Sequence, residues 1–168
     1  GIYIPESILE KFGDDKTEEF INDDELEKLK ESQNTSKYVN PKRIKELKEL
    51  KSKKFDFSRL IAVLKEINIC SKNNLKFAIP PLVRSIIDQV PPIFGKQNFS
   101  EISGNYGTRS FRESMKILDD ASRKIADSYL HTHIRISESS LPNETQIDFK
   151  NSLDVLLQEI VNIIKKEV

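Results

Sequence analysis

Apolar residues recur at intervals of three and four along most of the chain, which is the spacing of amphipathic α-helices. The longest such stripe spans residues 111–129, in a segment that Thr108 or Ser110 caps and that reaches at least Leu130. The last helix, predicted from about residue 144 to 166, has the broadest apolar face. No segment shows the alternation typical of a β-strand, so the pattern predicts an all-α fold.

Two more helices are predicted in the middle of the chain. Asp56 or Ser58 caps a helix that continues to about Lys72. The next apolar stripe, over residues 75–90, contains Pro80-Pro81, which either kink one long helix or split it. Together with the two helices above, these give a four-helix-type bundle over residues 55–168.

Residues 1–54 are predicted to form a charged N-terminal helical arm. Two short acidic helices are expected within residues 5–32, and Asn40-Pro41 is typical of the start of a third helix that reaches about Lys51. The apolar stripe of the third helix is thin, so we expect the whole arm to be peripheral to the bundle.

Charge is segregated, although 27 basic residues balance 27 acidic ones. Residues 1–31 sum to minus seven and residues 32–66 to plus six. The two segments either fold against each other or are solvated helix faces. The basic residues between 42 and 54 also offer contacts to phosphate groups, so RNA stays open as a partner.

Several functional classes are excluded or disfavoured. The longest apolar run, Leu60 to Leu64, has five residues, so no membrane span and no membrane partner are expected. Cys70 has no second cysteine with which to form an internal disulfide, and no secretory leader is visible, so we expect a cytoplasmic protein. Two histidines and one cysteine are too few for a zinc finger, and nucleotide-binding glycine motifs are absent. No metal and no cofactor are therefore expected.

The candidate catalytic residues are Arg123, Asp127 and His131, which follow one another at four-residue intervals on a predicted helix. We expect them to face outward, roughly opposite the apolar stripe, with Asp127 holding both the guanidinium and the imidazole. An imidazole that moves protons and an arginine that stabilises a phosphorane-like transition state would suit RNA cleavage without a metal. A structural salt bridge on the helix surface explains the same residues.

Four further residues are binding or accessory candidates. Arg84 and Asp88 form an i, i+4 pair that could brace Arg123 or His131 from a neighbouring helix, or could simply be an intrahelical pair. His133 and Arg135 lie just beyond His131, and His133 would turn towards the apolar side if the helix continued that far.

The glycine-rich turn at residues 104–110 is either an anion nest or an ordinary turn and helix cap.

Residues 55–164 resemble a C-terminal domain found in many uncharacterised bacterial proteins. The residues that carry this resemblance are Phe55-Asp56, Leu82 to Asp88, Val90 to Gly95, Arg123 to Asp127, Leu130-His131 and Ile134-Arg135. More distantly, a helical bundle with Arg and His near the end of its penultimate helix resembles HEPN domains. That resemblance implies a dimer of a metal-independent ribonuclease from toxin or phage-defence systems, although Arg123 and His131 are spaced more widely than in the HEPN motif.

Two functional hypotheses follow. The first is a non-enzymatic helical interaction or oligomerisation module of a larger bacterial protein, acting in phage defence. We then expect a homodimer or a partner protein. The alternative is a HEPN-like ribonuclease or RNA-binding domain that uses Arg123, Asp127 and His131. The sequence leaves open whether the protein is an enzyme.

Overall fold

The computed structural model describes residues 37–131, 133–137 and 143–167. These residues form six α-helices: α1 (Pro41–Glu49), α2 (Ser58–Lys72), α3 (Ile79–Gln89), α4 (Phe99–Asn105), α5 (Arg109–His131) and α6 (Lys150–Glu167). Two short 3₁₀ helices span Pro91–Phe94 and Thr145–Ile147. No strand occurs in this part of the chain, which confirms the predicted all-α fold. The two acidic helices predicted before residue 33 lie outside the described residues.

The helices pack as a bundle in which α5 has the most neighbours. α5 packs against α3, α4 and α6, while α2 packs against α3 and α1. One continuous apolar core runs through the bundle. The side chains at its centre are fully buried, and they include Leu64, Ile86, Met115, Leu118 and Leu156. Within the described residues, no helix is both long enough and apolar enough to cross a membrane.

Local hydrogen bonds fix where the helices start. The side-chain oxygen of Asn40 accepts a hydrogen bond from the backbone N–H of Lys42 at 2.9 Å, and Pro41 is the first residue of α1, as predicted. Asp56 accepts a 2.8 Å hydrogen bond from the backbone N–H of Ser58, where α2 begins. Each side chain satisfies a donor that the helix itself cannot satisfy.

The prolines at 80 and 81 split the predicted helix rather than kink it. α2 ends at Lys72, and α3 starts at Ile79 with both prolines in its first turn, where an N–H donor is not required. Between the two helices, Asn74 has a left-handed backbone with φ of 57°. Asparagine tolerates this conformation better than most residues. α2 and α3 are therefore separate helices that pack against each other as a helical hairpin.

The prediction that the segment before residue 54 is peripheral is wrong for α1. Ile44 and Leu47 of α1 are buried in the bundle core, and so are Tyr38 and Val39, which precede the helix. The side-chain amide of Asn68 on α2 binds the backbone of Val39 through two hydrogen bonds of 2.7 and 2.9 Å. Residues that precede α1 therefore add to the few apolar contacts that the helix itself makes with the core. The division at residues 54 and 55 stays a prediction, because most of the first range lies outside the described residues.

The hydroxyl of Tyr38 connects this N-terminal segment to the start of α6. It donates a hydrogen bond to the carbonyl oxygen of Ile147 and accepts one from the backbone N–H of Phe149 at 2.9 Å. Burial raises the pKa of Tyr38 well above its ordinary value, so the hydroxyl stays protonated and can donate. Tyr38 is therefore a buried polar link between two parts of the chain that lie far apart in sequence.

We expect Tyr38→Phe to lower the free energy of unfolding by about 1–3 kcal/mol, because it removes both hydrogen bonds of a buried hydroxyl, each contributing about 0.5–1.5 kcal/mol. Urea denaturation followed by circular dichroism measures the change. Tyr129→Phe is the matched control, because the Tyr129 ring packs edge-on against the exposed Phe77 at 5.0 Å. Equal free energies of unfolding for the two variants would contradict a stabilising role for the Tyr38 hydroxyl.

Candidate functional site

α5 is the element that carries the predicted catalytic residues, and it is one unbroken helix from Arg109 to His131. At its start, the hydroxyl oxygen of Thr108 accepts a hydrogen bond from the backbone N–H of Phe111 at 3.3 Å. The Arg112 side chain donates to the carbonyl oxygen of Gly107 at 2.7 Å, and Gly107 has the left-handed φ of 67° that glycine adopts freely. These contacts make the glycine-rich turn a helix cap.

Five charged side chains meet where α3 and α5 pack together. Arg123 hydrogen-bonds the carboxylate of Asp119 through Nε, and its Nη2 donates to Oδ1 of Asp88 at 2.9 Å. Arg84 hydrogen-bonds Asp127 through Nη1, and its Nε lies 3.8 Å from Oδ2 of Asp88. We call these five residues the α3–α5 ion network. Asp88 contacts both arginines, so it joins the two halves of the network.

The α3–α5 ion network is partly shielded from solvent, and its negative charges outnumber its positive charges. The Asp119 side chain is only 11% exposed and that of Arg123 is 34% exposed. Partial burial by itself would lower the pKa of Arg123, but hydrogen bonds to Asp119 and Asp88 raise it. Two guanidinium groups face three carboxylates, so the network carries a net charge of minus one. Both arginines are thus held as structural cations.

The predicted arrangement of Asp127 between Arg123 and His131 is wrong. Asp127 pairs with Arg84 of α3, while Arg123 pairs with Asp119 and Asp88. Asp119 lies one helical turn before Arg123 and offers it the same i, i+4 geometry that Asp127 offers from the other side. Asp127 is exposed, as expected, whereas Arg123 is partly buried, and both side chains reach towards α3.

Both alternatives for Arg84 and Asp88 are observed: Asp88 contacts Arg123 of α5, and within α3 it also lies 3.8 Å from Arg84. Asp119 is the member of the network that the sequence analysis missed. Asp119 lies four residues before Arg123, and this spacing could have indicated a salt bridge between the two side chains. In sequence, however, it looks like any other acidic residue on a helix rich in charge, because its burial depends on α5 packing against its neighbours.

The remaining predicted site residues lie at or beyond the end of the helix. His131 is the last residue of α5 and is exposed. His133 and Arg135 are exposed residues of a non-helical segment, so His133 does not turn towards the apolar side. The structure brings Arg84, Asp88, Arg123 and Asp127 together, whereas the catalytic and binding roles assigned to all of these residues stay predictions.

The described ranges contain no group of three or more histidine, cysteine, aspartate or glutamate side chains placed to hold a metal ion.

Comparison with models of protein families, with curated proteins and with solved structures found no match to this chain. The resemblances drawn from the sequence therefore stay expectations. The geometry of the α3–α5 ion network indicates what these residues do: they connect two helices through charge-assisted hydrogen bonds.

We expect Asp119→Asn to lower the free energy of unfolding by about 1–3 kcal/mol, because a largely buried guanidinium contact then loses its charged partner. Asp120→Asn on the next, exposed position of α5 is the control and should change stability by less than about 0.5 kcal/mol. Chemical denaturation of both variants measures the difference. A similar small effect of the two substitutions would show that the network contributes little to stability.

Proposed function

We propose that this chain is a non-enzymatic helical interaction and oligomerisation module of a larger bacterial protein that acts in phage defence. The observation that carries the proposal is a concentration of exposed apolar side chains at one end of the bundle.

Six of the eight large apolar side chains that are exposed among the described residues occur in three connected places. They are Ile69 near the end of α2, Leu75 and Phe77 in the α2–α3 loop, and Leu130, Ile134 and Ile136 at and after the end of α5. The edge-on contact of Phe77 with Tyr129 joins the loop to the end of α5. Exposed apolar residues that cluster in this way are typical of surfaces that bind another protein.

The ion network also favours a module over a nuclease. In metal-independent RNA cleavage, an arginine must stabilise negative charge that develops in the transition state. Here three carboxylates already surround the two arginines, and the surplus negative charge would repel a phosphate group. Arg84 and Arg123 would have to leave their partners before they could bind RNA.

One observation favours the alternative, a HEPN-like ribonuclease or RNA-binding domain. His131 is exposed and lies on the same unbroken helix as Arg123 and Asp127. Histidine is the side chain that most often acts as a general acid or base in catalysis. The two functions are separated by an activity measurement that includes a His131 variant.

We expect no cleavage when the full chain is incubated with labelled single-stranded RNA in EDTA at neutral pH, because carboxylates already hold Arg84 and Arg123 and keep them from stabilising the transition state. His131→Ala and Arg123→Ala should behave like the unmodified protein. Product formation is followed by denaturing gel electrophoresis. Cleavage by the unmodified chain that disappears in His131→Ala would overturn the proposal and support the ribonuclease.

We expect the chain to self-associate, because burying the exposed apolar side chains removes them from water. Light scattering during gel filtration should give a mass that rises with concentration from 19.4 kDa towards twice that value. A mass that stays at 19.4 kDa up to high micromolar concentration would contradict the oligomerisation part of the proposal.

A further inference from the structure

The surface between α2 and α3 contains a shallow apolar groove of about 410 Å³. It is lined by Glu66, Ile69, Cys70, Ala78, Pro81 and Leu82. Its volume lies in the range of about 300–1,000 Å³ in which proteins bind compact ligands or side chains of a partner. Glu66 is the one charged residue of the lining, so an occupant should be mainly apolar.

The same chain offers a segment with these properties. Residues 133–137 follow the end of α5 without helical structure, and the side chains of Ile134 and Ile136 are almost completely exposed. Two exposed isoleucines so close together are costly in water.

The groove and the segment are neighbours at one end of the bundle. Ala78, which lines the groove, follows Phe77, and the Phe77 ring centroid lies 5.0 Å from that of Tyr129 near the end of α5. The segment therefore leaves the bundle beside the groove. Because Ile134 and Ile136 are exposed, the segment does not fill the groove of its own chain.

We propose that two copies of this chain associate by reciprocal exchange, with residues 133–137 of each copy lying in the apolar groove of the other. This inference rests on the proposed oligomerisation function and names its surface and partner. A second copy of the chain brings its own groove and its own segment. In a dimer with two-fold symmetry, the segment of each copy can therefore lie in the groove of the other copy. One short segment in one groove would bury less area than a stable interface usually needs, and reciprocity doubles it.

The single cysteine of the chain makes the pairing directly testable, because Cys70 lines the groove. Ile134→Cys and Ile136→Cys each place a second thiol on the segment. With oxidised glutathione, at least one of them should form a disulfide between copies, seen as a covalent dimer on a non-reducing gel. Adding Cys70→Ser should abolish this dimer. Ile117→Cys is the matched control on another surface of α5, where Ile117 is 62% exposed, and it should give no more dimer than the unmodified protein.

A second pair of variants tests the groove without a new thiol. Ile69→Glu places a carboxylate on the groove lining at a position that is 57% exposed, so the fold should be retained. We expect self-association, measured by light scattering over a dilution series, to weaken by a factor of about ten or more. Ile117→Glu has a similar exposure and should leave self-association unchanged.

The outcomes separate this inference from the proposed function. A dimer by light scattering with no disulfide above the Ile117→Cys level would overturn the reciprocal exchange and leave an oligomerisation module with another interface. A disulfide within one chain, seen as a faster-migrating monomer, would show that the segment occupies its own groove. A chain that is monomeric at every concentration would overturn both. Equal weakening by Ile69→Glu and Ile117→Glu would also count against the groove.

Discussion

Two arginines held by three aspartates at the contact between α3 and α5 constrain both the fold and the chemistry of this protein. Arg84 and Arg123 reach carboxylates across the helix contact only when α3 and α5 keep one axial register. That register is also the one in which the apolar faces of the two helices are buried. The same hydrogen bonds neutralise the guanidinium groups, so a role in helix packing competes directly with a role in binding phosphate.

The elements that depend on local sequence were predictable. The stripe of α5 and the Asn40-Pro41 start of α1 arise from residues within one or two helical turns of each other. The partners of Asp127 and Arg123 were not predictable in this way, because they depend on which helix lies beside α5. The burial of α1 was underestimated for a similar reason: Tyr38, outside the helix, provides part of its contact with the core.

Most of the candidate site residues predicted from the sequence lie between Arg123 and Arg135. In the structure, this range has two parts with different environments. Arg123 and Asp127 belong to an unbroken helix, and their side chains form ion pairs with residues of α3. His131 ends that helix, and His133 and Arg135 follow it as exposed residues beside two exposed isoleucines. Residues that looked like one constellation in sequence therefore have separate environments, one suited to holding helices together and the other to meeting another molecule.

The two prolines at the start of α3 limit how copies of this chain can exchange structure. Paired helices often swap between molecules when the loop joining them straightens and the two helices fuse into one. Fusion of α2 with α3 would place Pro80 and Pro81 in a helix interior, where each lacks a donor and clashes with the preceding turn, at a cost of about 3 kcal/mol or more. The hairpin is therefore protected against domain swapping, and each molecule keeps its own α2–α3 pair.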